Sequence, residues 1–156
     1  YKQFAYLACG FGIVVIDTDK LEVTDTYFIG KRGADLDVLQ VALNDSLMYA
    51  ASTQGLLYCS YKSKYPGDYR NWNWDTLLIK PKQLSGIVHC NKSFFVSYNF
   101  GDTSNQTSLY KKRSSTWEPF PNALKPYSHL ILKLHHHNVY EFSYYNNQYK
   151  KFYHAH

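Results

Sequence analysis

The sequence predicts an all-β fold, and within that class a β-propeller segment of about four blades built from four-stranded antiparallel sheets, two of them complete and two partial. Three observations lead there. Sixteen tyrosines, nine phenylalanines and three tryptophans stand in 156 residues, and aromatic side chains favour the half-buried pleated surface of a strand. No segment carries the sustained 3.6-residue periodicity with caps that marks a helix. The third observation is an internal repeat. Tyr6-Leu7-Ala8-Cys9-Gly10-Phe11-Gly12-Ile13-Val14-Val15 matches Tyr49-Ala50-Ala51-Ser52-Thr53-Gln54-Gly55-Leu56-Leu57-Tyr58 at an offset of 43 residues. Tyr6 falls on Tyr49, Ala8 on Ala51 and Gly12 on Gly55, and an aliphatic residue follows each glycine. A β-sandwich also has short, evenly spaced strands, but it does not predict a self-match of this length.

The elements follow in chain order. Residues 4–10, 13–17 and 23–29 supply three strands of a first partial blade (about 4–30), which lacks an innermost strand. Gly12 and Gly55 are read as structural turn residues, because a short hairpin tip needs a residue that accepts positive φ. Residues 37–43 form the next strand, Asn44-Asp45-Ser46 is turn chemistry, and 47–52, 56–61 and 72–79 complete a blade over 37–79. A second full blade, 84–120, takes strands at 84–89, 93–98, 108–112 and 116–120. Pro119, Pro121 and Pro126 then punctuate the chain, since proline cannot donate to a ladder. The last partial blade, 127–154, has strands at 130–135, 139–144 and 148–153. Its second strand is expected to be missing near His135–His137, or else the blade is short. A strand that begins almost at Tyr1 suggests a piece of a larger multidomain protein. Partial blades at both ends would leave open faces at 4–16 and 139–153, through which copies could self-associate into a ring of about seven or eight blades.

Net charge is +5, but the basic residues are scattered, Lys111-Lys112-Arg113 and Lys150-Lys151 being the densest clusters. That is a solvated surface, and nucleic acid is not an expected partner. No apolar stretch is long enough to span a bilayer as a helix. Cys9, Cys59 and Cys90 are odd in number and show no metal-ligand spacing.

Residues 5–60, beginning Ala5-Tyr6-Leu7-Ala8-Cys9-Gly10-Phe11-Gly12, and the following Asp68-Tyr69-Arg70-Asn71-Trp72 run resemble the N-terminal propeller of the PorZ family, a component of the type IX secretion system's cell-surface attachment complex. The resemblance implies an accessory subunit of a Gram-negative bacterium, at the cell surface or associated with the outer membrane, or in the periplasm. It would assist a sortase-like subunit that attaches cargo to anionic lipopolysaccharide, through protein and glycan contacts. It implies no catalytic residue, and none is transferred. A Gly-Leu strand start such as Gly55-Leu56 is also similar to the periplasmic carbohydrate-sensing propellers of hybrid two-component regulators, which is the alternative. An enzymatic propeller, lyase or hydrolase, would need ionisable groups converging at the channel mouth.

The candidate binding residues are Tyr65, Tyr69, Arg70 and Trp72, on or beside the longest loop. Aromatic rings beside an arginine anchor protein partners, and loops carry function more often than strands do; Trp72 and Trp74 packing the outer strand is the competing reading. No metal or cofactor is expected. His135 and His137 could share a strand face, but no carboxylate or thiol stands close by in sequence. Asp17, Asp19, Glu22 and Asp25 lack the spacing of a calcium loop. Gly10-Phe11-Gly12 lacks the third glycine of a dinucleotide fingerprint.

Overall fold

Two-residue hairpin tips and strands that put every second side chain on one face account for most of the architecture. A computed structural model of the protein describes residues 3–76, 83–90, 92–99, 107–119, 130–135, 139–146 and 149–155. The chain divides into two compact units, Tyr1–Asp75 and Thr76–His156.

In the first unit, β1 (Phe4–Cys9), β2 (Gly12–Asp17) and β3 (Glu22–Tyr27) form a three-stranded antiparallel meander. Four strands, β4 (Val38–Leu43), β5 (Leu47–Ser52), β6 (Gly55–Ser60) and β7 (Asn73–Trp74), form the sheet beside it in the order β4-β5-β6-β7. The repeat is visible in the register. Cys9 pairs with Gly12 across one hairpin tip and Ser52 with Gly55 across the other. Both glycines have positive φ, +151° at Gly12 and +140° at Gly55, where a side chain would be strained. The register of β2 against β3 shifts between Val15 and Ile16, where Thr24 is an extra residue on β3. Side chains fasten several turns: Asp17 Oδ1 accepts from the backbone N–H groups of Asp19 and Lys20, and Asn44 Oδ1 from those of Ser46 and Leu47.

The two sheets pack face to face. Tyr6, Ala8, Ile13 and Val15 from the first sheet share one cluster with Met48, Ala50, Leu57 and Cys59 from the second. Burying an aliphatic side chain of this size is worth about 1.5–3 kcal/mol each. Tyr27, Ile29, Leu36 and Trp72 close its rim. β5 is buried on both faces along almost its whole length, which is why it reads as a nearly continuous small and apolar run instead of alternating.

In the second unit, β8 (Gln83–Cys90), β9 (Ser93–Asn99), β10 (Thr107–Arg113) and β11 (Thr116–Pro119) form a four-stranded sheet, and β12 (Leu130–His135), β13 (Val139–Asn146) and β14 (Tyr149–Ala155) a three-stranded one. Leu84, Ile87, Val88, Phe94, Phe95, Val96 and Trp117 are buried. The buried Ser97 hydroxyl is satisfied by the Gly86 carbonyl at 3.5 Å. The fold is all-β, with antiparallel sheets of three and four strands and no α-helix among the described residues, the architecture of propeller blades.

One expectation changes. The strand anticipated over 72–79 is, among the described residues, only Asn73–Trp74. Trp72 instead donates its backbone N–H to Tyr69 to close a 3₁₀ turn, and residues 77–79 lie outside the described part. The last blade takes the shorter of the two forms expected for it, with three strands among the described residues. His135 pairs with Val139 and Leu130 with Tyr144, so β13 pairs directly with β12. His136 and His137 lie outside the described residues.

Candidate functional site

The loop between β6 and β7 is held in one shape by its own hydrogen bonds. Tyr61 N–H donates to Ser46 O at 2.9 Å and Asp68 N–H to Tyr65 O at 3.1 Å. Asp68 then caps the short 3₁₀ turn Tyr69–Asn71: its carboxylate accepts from Arg70 N–H at 2.9 Å. Asn71 Nδ2 reaches back to Tyr65 O at 2.7 Å, and Trp72 Nε1 to Pro66 O at 2.7 Å. At Gly67 an added Cβ would stand 3.0 Å from the Tyr27 ring, so glycine lets the loop lie flat on the core.

The four candidate residues part company in this frame. Tyr65 is 60% exposed and Tyr69 37%. Tyr65 carries the Lys64 ammonium over its ring at 5.3 Å from the centroid. Arg70 is exposed but held by Asp68, with Nη2 to Oδ2 at 2.6 Å and Nε within 3.0 Å of both carboxylate oxygens. That bidentate contact holds the Asp68 carboxyl below its ordinary range and pushes the guanidinium up, because each charge stabilises the other. Arg70 thus offers a neutralised pair instead of a free cation. Trp72 is 6% exposed and belongs to the core; it positions the loop and offers no surface. The exposed tryptophan is Trp74, whose ring covers Gly55.

Sequence reading missed two rings. Phe11, at the tip of the β1–β2 hairpin, and Phe28 are both exposed and pack together with centroids 6.0 Å apart. Phe28 stands between buried Tyr27 and Ile29, so strand alternation was the signal that could have placed it outside. The segment Lys31–Gly33 adjoins the turn Tyr69–Asn71; a Cβ on Gly33 would lie 3.5 Å from Tyr69 Cδ1 and 4.0 Å from Phe28 O. Arg32 there adopts φ +59°, uncommon for a residue with a side chain. Three loops of the first unit therefore gather exposed aromatic rings.

Among the described residues, no group of three or more His, Cys, Asp or Glu side chains is placed to hold a metal ion. No helix among them is long and apolar enough to cross a membrane. Asp17 Oδ1 is engaged in its turn.

A segment of β-propeller blades with a fixed aromatic loop is what the geometry defines. Residues 1–73 match the family described as TSS9, PorZ, N-terminal beta-propeller domain. Over those residues the chain is PorZ-like, similar to a β-propeller domain of a type IX secretion component. No curated protein matches the chain.

Proposed function

We propose that this chain is a non-catalytic scaffold and binding segment of a cell-surface type IX secretion accessory protein, engaging a sortase-like subunit of the attachment complex and anionic lipopolysaccharide or a related glycan. The observation that carries the reading is the PorZ family match over residues 1–73, which spans the first sheet and the loop bearing Tyr65 and Tyr69. Exposed tyrosines on a loop pinned by backbone bonds are the kind of rigid amphipathic contact that binding surfaces favour, and they cost little ordering entropy. The pairing of Arg70 with Asp68 directs the loop towards aromatic and hydrogen-bonded contacts, because its guanidinium is already satisfied.

Co-purification of the sortase-like subunit with the intact protein tests this. Replacing Tyr65 and Tyr69 by Ala together is expected to reduce recovery at least about tenfold, since tyrosine is enriched among the contacts whose truncation costs about 2 kcal/mol or more. Undiminished recovery of the subunit, with undiminished attachment of cargo, would sink the assignment of these residues.

A further inference from the structure

Lys31 and Arg32 differ from the other cations of the loops around them. Arg70 is paired with Asp68, and Lys64 lies over the Tyr65 ring. Among the described residues neither Lys31 nor Arg32 has an ion pair, and both are exposed. Their turn is closed by its own backbone: Gly33 N–H donates to Gly30 O at 2.9 Å and Gly30 N–H to Ala34 O at 3.2 Å. Asp35, the nearest carboxylate in sequence, follows the closing bond. Arg32 occupies the left-handed region at φ +59° and ψ +28°, which glycine would adopt without strain. A strained position that keeps a long cationic side chain points to a use for that side chain.

The same turn joins the exposed rings. It continues from Phe28, which packs on Phe11 with centroids 6.0 Å apart, and Gly33 lies against Tyr69. Phe11, Phe28 and Tyr69 are 37–43% exposed. The Phe11 carbonyl accepts from Leu36 N–H at 3.4 Å. The rings thus stand on backbone that is already hydrogen-bonded, and binding there costs little ordering. Two of them are phenylalanines with no polar tip. The polar side chains of the adjoining turn are engaged, Asp68 with Arg70 and Asn71 with Tyr65 O. A sugar needs free donors and acceptors beside a stacking ring. What stands free here is apolar ring and positive charge, the composition that anchors a protein segment.

We propose that Phe11, Phe28 and Tyr69, with Lys31 and Arg32 beside them, form a docking surface for a protein segment that carries acidic side chains next to aromatic or long aliphatic ones. The rings supply the anchoring contacts; the two cations meet the carboxylates and disfavour basic segments. The surface shares Tyr69 with the contact proposed above and rests on that loop meeting a partner. It adds the chemistry of the partner and a second loop that it touches.

Selection of a displayed library of random peptides on the intact protein tests this. The enriched peptides are expected to combine Asp or Glu with Phe, Trp or Leu. Their affinity should fall at least about tenfold for Phe28→Ala and for Arg32→Gly, a change that relieves the turn and so preserves the fold. Against Arg32→Glu the same peptides should fail, and Lys in place of their acidic residues should restore binding. Enrichment without acidic residues, binding indifferent to Phe28→Ala and Arg32→Gly, or no enrichment at all overturns the proposal. Peptides that depend on Tyr65 alone overturn it and leave the reading of the Tyr65 loop standing. Polygalacturonate binding that Phe28→Ala and Arg32→Gly abolish, with no peptide enriched, overturns it in favour of a glycan. Hydroxyl-radical footprinting of the intact protein reads the other covers. Protection of Phe11 and Phe28 at every concentration means that their own polypeptide covers them, and protection lost on dilution means that a second copy does; either result overturns the proposal.

Discussion

Gly12 and Gly55 occupy the same place in two hairpins of one design, yet different neighbours hold them there. An added Cβ at Gly12 would collide with the carbonyl oxygen of Tyr27, a backbone atom at the end of a six-residue third strand. At Gly55 it would meet the edge of the Trp74 ring at 3.3 Å, on a half-exposed side chain of a two-residue strand. The sequence repeat preserves the turn. The third strand decides whether anything else depends on it.

Substitution at the two sites should break the apparent equivalence. Gly12→Val is expected to cost on the order of 4 kcal/mol or more, combining positive-φ strain with a backbone collision. Gly55→Val should cost about 1–3 kcal/mol, mostly strain, because Trp74 can swing outward. Urea midpoints for the two variants measure the difference. Equal losses would mean that the third strands constrain the hairpins alike.

The two tryptophans sharpen the contrast inside the second sheet. Trp72 is buried and donates to Pro66 O; Trp74 is 43% exposed. Trp72→Phe leaves that carbonyl without its donor and should cost about 1–3 kcal/mol. Trp74→Phe should stay within about 0.5 kcal/mol. A thermal melt in which the second variant loses more than the first would reverse the assignment of the core residue.

The repeat, and with it the strand order of the first unit, was legible because the hairpin glycines and their flanking tyrosines recur at one spacing. Strand ends were read to within one or two residues at most positions, as at Leu47–Ser52. The exception was 72–79. A tryptophan in an aromatic run looks like a strand residue, and only the 3₁₀ turn capped by Asp68 shows that the chain is still turning there. The division of the loop into exposed tyrosines and a buried tryptophan could not be read either. Trp72 is fixed by a bond to a carbonyl six residues back and by packing across two sheets, and neither leaves a periodic trace. The aromatic pair of Phe11 and Phe28 joins a hairpin tip to the end of a third strand, a contact that depends on sheet twist more than on sequence spacing.

The smallest effect separates two of the side-chain-fastened turns. Asp17 and Asn44 do the same work, each oxygen accepting two backbone N–H groups, but only Asp17 titrates. The Lys20 backbone N–H, working against the desolvation of the carboxylate and helped by the Asp19 N–H and the Lys20 ammonium, holds the Asp17 carboxyl below its ordinary value. The unfolded chain, with a carboxyl pKa near about 4, therefore binds this proton at a higher pH than the folded one. The stabilisation is present above about pH 4 and is lost as pH falls through the lower folded value. Asp17→Asn keeps an acceptor oxygen for the turn and removes the titration. The variant is expected to lose less stability than the parent between pH 7 and pH 3, while Asn44→Asp should lose more. Urea midpoints at the two pH values, compared across the three proteins, read this directly. Parallel pH profiles for parent and Asp17→Asn would show that the acid sensitivity of the fold arises at other carboxylates.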